Sequence, residues 1–253
     1  MDFSYSPAAT ELAAMTRDLA SSGRPLWPAL AEAGVLSAAL PQRAGGDGHG
    51  LAEQCAILIE IGRAAAAVPY LPSIAGAASA LAEFGTDEQV ETLAVPAGRG
   101  ELVLEPDVEL SAAGTAWLAA RLTIGACATQ LGLTERALEM TAAYARDRVQ
   151  FGRPIGSFQA VTQRLADAWI DVEALRLALW QAVSRPEPAE IATAGFWAAE
   201  TGHRVLHTAV HVHGGVGIDL EYPLHRYFLA AEDIEFQLGG ATRQLLALAE
   251  VLP

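Results

Sequence analysis

At 253 residues the chain can form one large domain or two small ones with a sizeable core. Hydrophobic residues make up 52%, charged residues 18%, and mean hydropathy is +0.25, which excludes a disordered or fibrous protein. Lys+Arg number 16 against 30 Asp+Glu, a net charge of −14 with no basic run, so nucleic acid is not an expected partner: neutralising phosphates needs a concentrated cationic face.

Apolar runs such as CAILIEIG and GVLSAALP fall short of the roughly 18 residues of a membrane helix, so no span is expected. The opening MDFSYSPAATELAAM has no basic and apolar leader pattern, and no signal peptide is expected. Cys55 and Cys127 stand singly inside apolar helical patterns and read as reduced core residues of a cytoplasmic protein. A soluble chain this apolar is expected to cover part of its surface with another subunit.

In chain order, Leu12, Met15 and Leu19 recur at helical spacing over 8–21, and a second helix near 24–34 enters through Pro25 and stops at Gly34. The glycine-rich segment 41–50 is a loop. Helices over 51–66 and 72–84 flank the breaker 68–72, and Thr86 with Asp87 and Glu88 marks a further helix start. Between about 95 and 116, Leu102 and Leu104 alternate briefly among prolines and glycines; two short strands are the most that this segment predicts. Long helices follow over about 116–149, 157–184 and 188–210, then a glycine loop at 213–220 and two shorter helices near 223–236 and 240–251. The reading is mainly α, with a small N-terminal helical bundle and a larger C-terminal bundle of long helices.

The densest polar cluster is 146–154, where Arg146, Arg148 and Arg153 crowd a helix end. They either complement the negative end of the helix dipole or form an anion site, since a guanidinium fork suits phosphate. The run 211–217 carries His211, His213 and three glycines; the glycines permit positive φ and close backbone approach. A metal is not expected there: His203, His207 and His211 share a helix face, but no carboxylate stands at ligand spacing between them. Glu232, Asp233 and Glu235 read as a solvated face. The chain has no nucleophile elbow and no phosphate-binding loop.

Taken together, RDRVQFGRPIGSFQAV (146–161), HGGVGIDLEYPLHRYF (213–228), LPQRAGGDGHGLAE (40–53), EIGRAAAAVPYLPS (60–73) and FGTDEQVETL (84–93) resemble the acyl-CoA dehydrogenase family over nearly the whole chain. The resemblance implies an N-terminal helical domain, a middle β domain and a C-terminal four-helix bundle. It also implies FAD, oxidation of an acyl-CoA thioester at Cα–Cβ, and a multi-subunit assembly. Here the β domain, roughly 100 residues, is essentially absent. The expected organisation is residues 1–95, a linker over 96–115 in place of the β domain, and residues 116–253.

The resemblance further implies a glutamate base opening the last helix, where Leu238 stands; Glu235 is the nearest carboxylate. The alternative base position, early in the first long C-terminal helix, falls at Leu122 beside Arg121. Neither residue can act as a carboxylate base. Retained are the residues that, by resemblance, contact the ADP half of a neighbouring subunit's FAD: Arg148, Phe151, Gln159, Gly214 and Gly215, with His211 where a glutamine is usual. Three functions follow: a non-catalytic subunit completing the FAD site of a larger partner that carries the β domain, a homo-oligomeric enzyme with altered chemistry, with or without flavin, or a scaffold.

Overall fold

The computed structural model describes residues 6–252, which divide into two compact units, one up to Thr129 and one from Gln130 on. The first unit contains α1 (Pro7–Ser21), α2 (Leu26–Glu32), α3 (Val35–Ala38) and α4 (Leu51–Arg63). A π-helical stretch, Tyr70–Ala78, then runs into α5 (Ser79–Phe84), followed by α6 (Asp87–Gln89) and α7 (Val95–Gly98). The helix α8 (Ala112–Asp147) passes from the first unit into the second.

The helix limits have local causes. Ser6 caps α1 by accepting the Ala9 N–H at 3.0 Å. Gly34, at φ 74°, takes the left-handed conformation that ends α2. Thr86 and Gln89 satisfy each other's backbone N–H groups in a reciprocal capping box, at 3.2 and 2.9 Å. The helix expected from residue 72 begins two residues earlier, because Pro72 falls in the first turn, where its missing N–H has no intrahelical partner to lose.

Leu30, Leu36, Leu40, Ile57, Leu58, Ile74 and Leu81 are fully buried in the first unit. Arg17 grips Glu60 with two hydrogen bonds. Cys55 and Cys127 are free and buried. Burial pushes the Cys55 thiol up to about 12, so it remains a protonated core group.

The segment near 95–116, for which two short strands are the upper limit, contains none among the described residues. After α7 the backbone runs without strand pairing to α8, held at Leu104, whose N–H donates to Ser73 Oγ at 3.0 Å. Two-residue alternation without a partner strand cannot form a ladder. The one hairpin among the described residues is β1 (Val149–Gln150) with β2 (Arg153–Pro154), antiparallel, Val149 facing Pro154 and Gln150 facing Arg153. The middle β domain is absent, and the fold is mainly α.

In the second unit, α9 (Gln159–Ser184), α10 (Pro188–His213), α11 (Leu224–Leu238) and α12 (Gly240–Val251) follow the end of α8. Helix α10 packs against α9, α11 and α12. Gly202 allows the close approach: a Cβ there would collide with the Gln130 side-chain amide, whose Nε2 donates to the Ala231 carbonyl at 3.3 Å. An ion pair between the exposed Arg204 Nε and the buried Asp171 Oδ2, at 3.2 Å, ties α10 to α9. Large apolar side chains remain exposed on this unit: Trp169, Ile170 and Leu177 on α9, Leu229 and Phe236 on α11, and Leu246 on α12. A monomer rarely leaves this many uncovered.

Candidate functional site

The site forms where α8 ends. Beyond Asp147 the chain turns through the β1–β2 hairpin, whose two-residue loop is Phe151-Gly152. Both residues have positive φ, 53° and 76°, as the type I′ turn of a two-residue hairpin requires. Glycine adopts this conformation freely. Phenylalanine does so at a cost of roughly 1–2 kcal/mol, and asparagine or aspartate is the usual occupant. The Phe151 ring nevertheless projects outward, 90% exposed, touching Phe158 edge-on at 6.1 Å between centroids. A strained backbone that presents an aromatic ring to solvent points to a function.

The three arginines of this corner separate by role. Arg146 lies in the last turn of α8, where it complements the dipole. Arg153 stacks its guanidinium over the Phe158 ring at 4.1 Å. Arg148 is exposed, and its guanidinium has no acidic or aromatic partner among the described residues. Its backbone is fixed on both sides: the N–H donates to the Tyr144 carbonyl, and its own carbonyl accepts from Ile155 N–H, each at 2.8 Å. Fixed backbone with a free guanidinium is the arrangement an anion site needs.

A groove of about 270 Å³ runs beside the hairpin, lined by Gln150, Phe151, Phe158, Val161, Arg164 and His211 among others. It brings together two of the sequence-predicted residues, Phe151 and His211. Gln159 is exposed in the first turn of α9, between the lining residues Phe158 and Ala160, and does not itself line the groove. Gly214 and Gly215 follow α10 with both backbones exposed; Gly214 has φ 62°, and a Cβ on either would meet nothing within 4 Å.

Sequence reading missed what holds this glycine loop. His213, 3% exposed, donates from Nδ1 to the Ala209 carbonyl at 2.8 Å and faces the Tyr222 hydroxyl at 3.1 Å through Nε2. Its ring stacks on Tyr144 of α8 at 4.3 Å. Burial lowers its pKa from the ordinary histidine value, so the ring is neutral at pH 7. One turn of α8 separates Tyr144 from Arg148, and Gly214 is the next residue after His213. The stack therefore fixes the arginine corner and the glycine loop relative to each other. The signal in the sequence was a histidine next to a glycine pair, which also reads as a ligand.

No carboxylate base stands at either position implied by resemblance. Leu238 ends α11, 5% exposed, its chain turning through Gly239 in the left-handed conformation. Glu235 does not line the groove; it faces His203 Nδ1 at 3.3 Å. Leu122 packs in the first unit where Gly76 lets it approach, and Arg121 stacks on Trp117 at 4.5 Å with its Nε buried and unpaired among the described residues. The structure also supplies what the helix pattern lacked around His203 and His207: a carboxylate oxygen of Glu232, on α11, lies within 4.8 Å of a ring nitrogen of each.

Residues 5–101 match the acyl-CoA dehydrogenase N-terminal domain and residues 112–252 the acyl-CoA dehydrogenase C-terminal domain. The chain belongs to the acyl-CoA dehydrogenase family. It is 40% identical to the acyl-CoA dehydrogenase FadE27 of Mycobacterium tuberculosis, covering 90% of this chain and 88% of that protein. That alignment runs over 328 positions, more than the 253 residues here, so FadE27 carries residues with no counterpart in this chain. Among solved structures, a chain of the ChsE4–ChsE5 complex from Mycobacterium tuberculosis is 36% identical, with a TM-score of 0.95 over 100% of both chains. A chain of the Tcur3481–Tcur3483 steroid acyl-CoA dehydrogenase, in a G363A variant, is 30% identical, with a TM-score of 0.89 over 96% of both.

Proposed function

We propose that this chain is the non-catalytic subunit of a heteromeric, cytoplasmic acyl-CoA dehydrogenase, and that it completes the FAD site of a larger partner which oxidises an acyl-CoA thioester at Cα–Cβ. The observation that carries this reading is the Phe151–Gly152 turn, a strained backbone presenting an aromatic ring beside the unpaired Arg148. The absent β domain and the buried Leu238 at the expected base position explain why such a chain needs a partner. The likeness to a chain of the ChsE4–ChsE5 complex supports a heteromer, and the likeness to a chain of the Tcur3481–Tcur3483 steroid acyl-CoA dehydrogenase supports an acyl group attached to a steroid.

The residues present fit the ADP half of FAD. Arg148 offers a planar fork to the pyrophosphate, and Phe151 and the groove offer apolar faces to the adenine. Gly214 and Gly215 allow close backbone approach, with Gln159 and His211 at the margins. FAD when bound supplies the acceptor for the hydride leaving Cβ. This chain's part is to bind and orient the far end of the cofactor, while the proton from Cα goes to a base on the partner. Co-expression with the products of adjacent genes tests the reading. A yellow complex whose flavin is lost on separating the subunits is expected. A colourless homo-oligomer that turns over a substrate by itself overturns it.

A further inference from the structure

On the surface of the second unit, on residues that do not line the groove, His203 and His207 stand one turn apart on α10 and Glu232 faces them from α11. One ligand atom from each lies within 4.8 Å of the other two. The two imidazoles run side by side, 4.2 Å between centroids and 32° between planes. Both Nδ1 atoms are already engaged: that of His207 with the His203 carbonyl at 2.8 Å, that of His203 with Glu235 Oε2 at 3.3 Å. Each Nδ1 then carries the proton, because both acceptors are oxygens, and each Nε2 keeps its lone pair. A histidine whose second nitrogen donates to a carboxylate or a carbonyl is the usual form of a metal-bound imidazole.

We infer that His203, His207 and Glu232 form a binding site for a divalent transition cation of the zinc class, with Glu235 as the outer carboxylate that orients His203. Two imidazole nitrogens and one carboxylate oxygen suit zinc, with a fourth position open to water. Bonds of about 2.1 Å draw tetrahedral ligands to about 3.4 Å from one another. The two histidines are exposed and Glu232 is half-buried, so small side-chain rotations close that gap. Local charge favours a cation, because Glu232, Asp233 and Glu235 gather along one stretch of α11, and Arg204, the nearest cation in sequence, is engaged by Asp171. A bound ion would clasp α10 to α11, the two helices that flank the glycine loop at 214–218.

The test is calorimetric titration of Zn²⁺ into the full chain, without affinity tag and stripped by chelator, with Mg²⁺ as the hard-cation control. One saturable equivalent of zinc per chain is expected, with no magnesium response. His207→Ala and Glu232→Gln each weaken binding at least tenfold, and Glu235→Gln weakens it ten- to a hundredfold as an outer-shell change. His49→Ala, a histidine of the first unit, leaves it unchanged. Zinc raises the melting temperature of the wild type but not of His207→Ala, whose helix content is checked by circular dichroism. Absence of saturable zinc binding, or equal binding by His207→Ala, overturns the site.

Discussion

Replacing Phe151 by asparagine separates a residue that serves its own chain from one that serves a partner. Within the chain two effects oppose. Asparagine tolerates the φ of 53° that phenylalanine adopts under strain, a gain of roughly 1–2 kcal/mol. The edge contact with Phe158 is lost, at about 0.5–1.5 kcal/mol. The isolated chain should therefore stay within about 1 kcal/mol of wild type. In the proposed assembly the ring, 90% exposed in the chain alone, would be buried against the partner and the cofactor. Burying a phenylalanine contributes about 1.5–3 kcal/mol, so the variant should bind partner and flavin some ten- to a hundredfold more weakly. Urea unfolding of the isolated chain, sedimentation of the assembly across a dilution series and flavin absorbance form the assay. Phe151→Leu keeps an apolar side chain and the strain, and should fall between the two. A variant that loses stability in isolation while its assembly and flavin content stay unchanged would show the ring to be a structural member of the hairpin and refute the reasoning.

Arg148→Ala should reduce flavin retention about ten- to a hundredfold, the worth of a charged hydrogen bond of roughly 1.5–3 kcal/mol, with an unchanged melting temperature; Arg148→Lys should recover only part, lacking the fork. Unchanged flavin would assign Arg148 to the helix dipole alone. His213→Phe removes the acceptor for the Tyr222 hydroxyl and should cost about 1–3 kcal/mol at pH 7.5 by urea midpoint. Because the folded pKa of His213 lies below its unfolded value near 6.5, its contribution is complete above that pH and is lost as pH falls through the folded value. The gap between wild type and variant should accordingly narrow in acid, and a constant gap would show that His213 does not titrate with folding. Leu238→Glu, which restores a carboxylate at the family position, should destabilise by about 2–4 kcal/mol. It combines loss of a buried leucine with a negative charge at a helix C-terminus, and it should confer no dehydrogenation on the chain alone.

Helix existence and most helix limits were readable along the chain because their causes are local. Apolar residues recur at 3.6-residue spacing, Gly34 and Gly239 terminate helices by adopting positive φ, and Thr86 with Gln89 forms a capping box within four residues. The missing β domain was legible too, since too few residues separate the two helical regions to build one. The alternating stretch near Leu102 and Leu104 allowed two short strands at most and forms none among the described residues, because strand formation depends on a partner, which periodicity cannot supply; the hairpin forms across Phe151-Gly152, where the chain turns back on itself at once.

Tertiary structure alone decided the rest. Three neighbouring arginines look alike in sequence, yet one faces the helix dipole, one lies on Phe158, and the guanidinium of Arg148 has no acidic or aromatic partner among the described residues. His213 and His211 are two residues apart, and helix rotation sends the first into a stack with Tyr144 and the second to the groove. Glu232 is twenty-five residues beyond His207, and only the packing of α11 against α10 brings it to the histidines. A side chain's type and local spacing set what it can do. What it meets depends on contacts between helices distant in sequence, which the burial of the apolar faces determines.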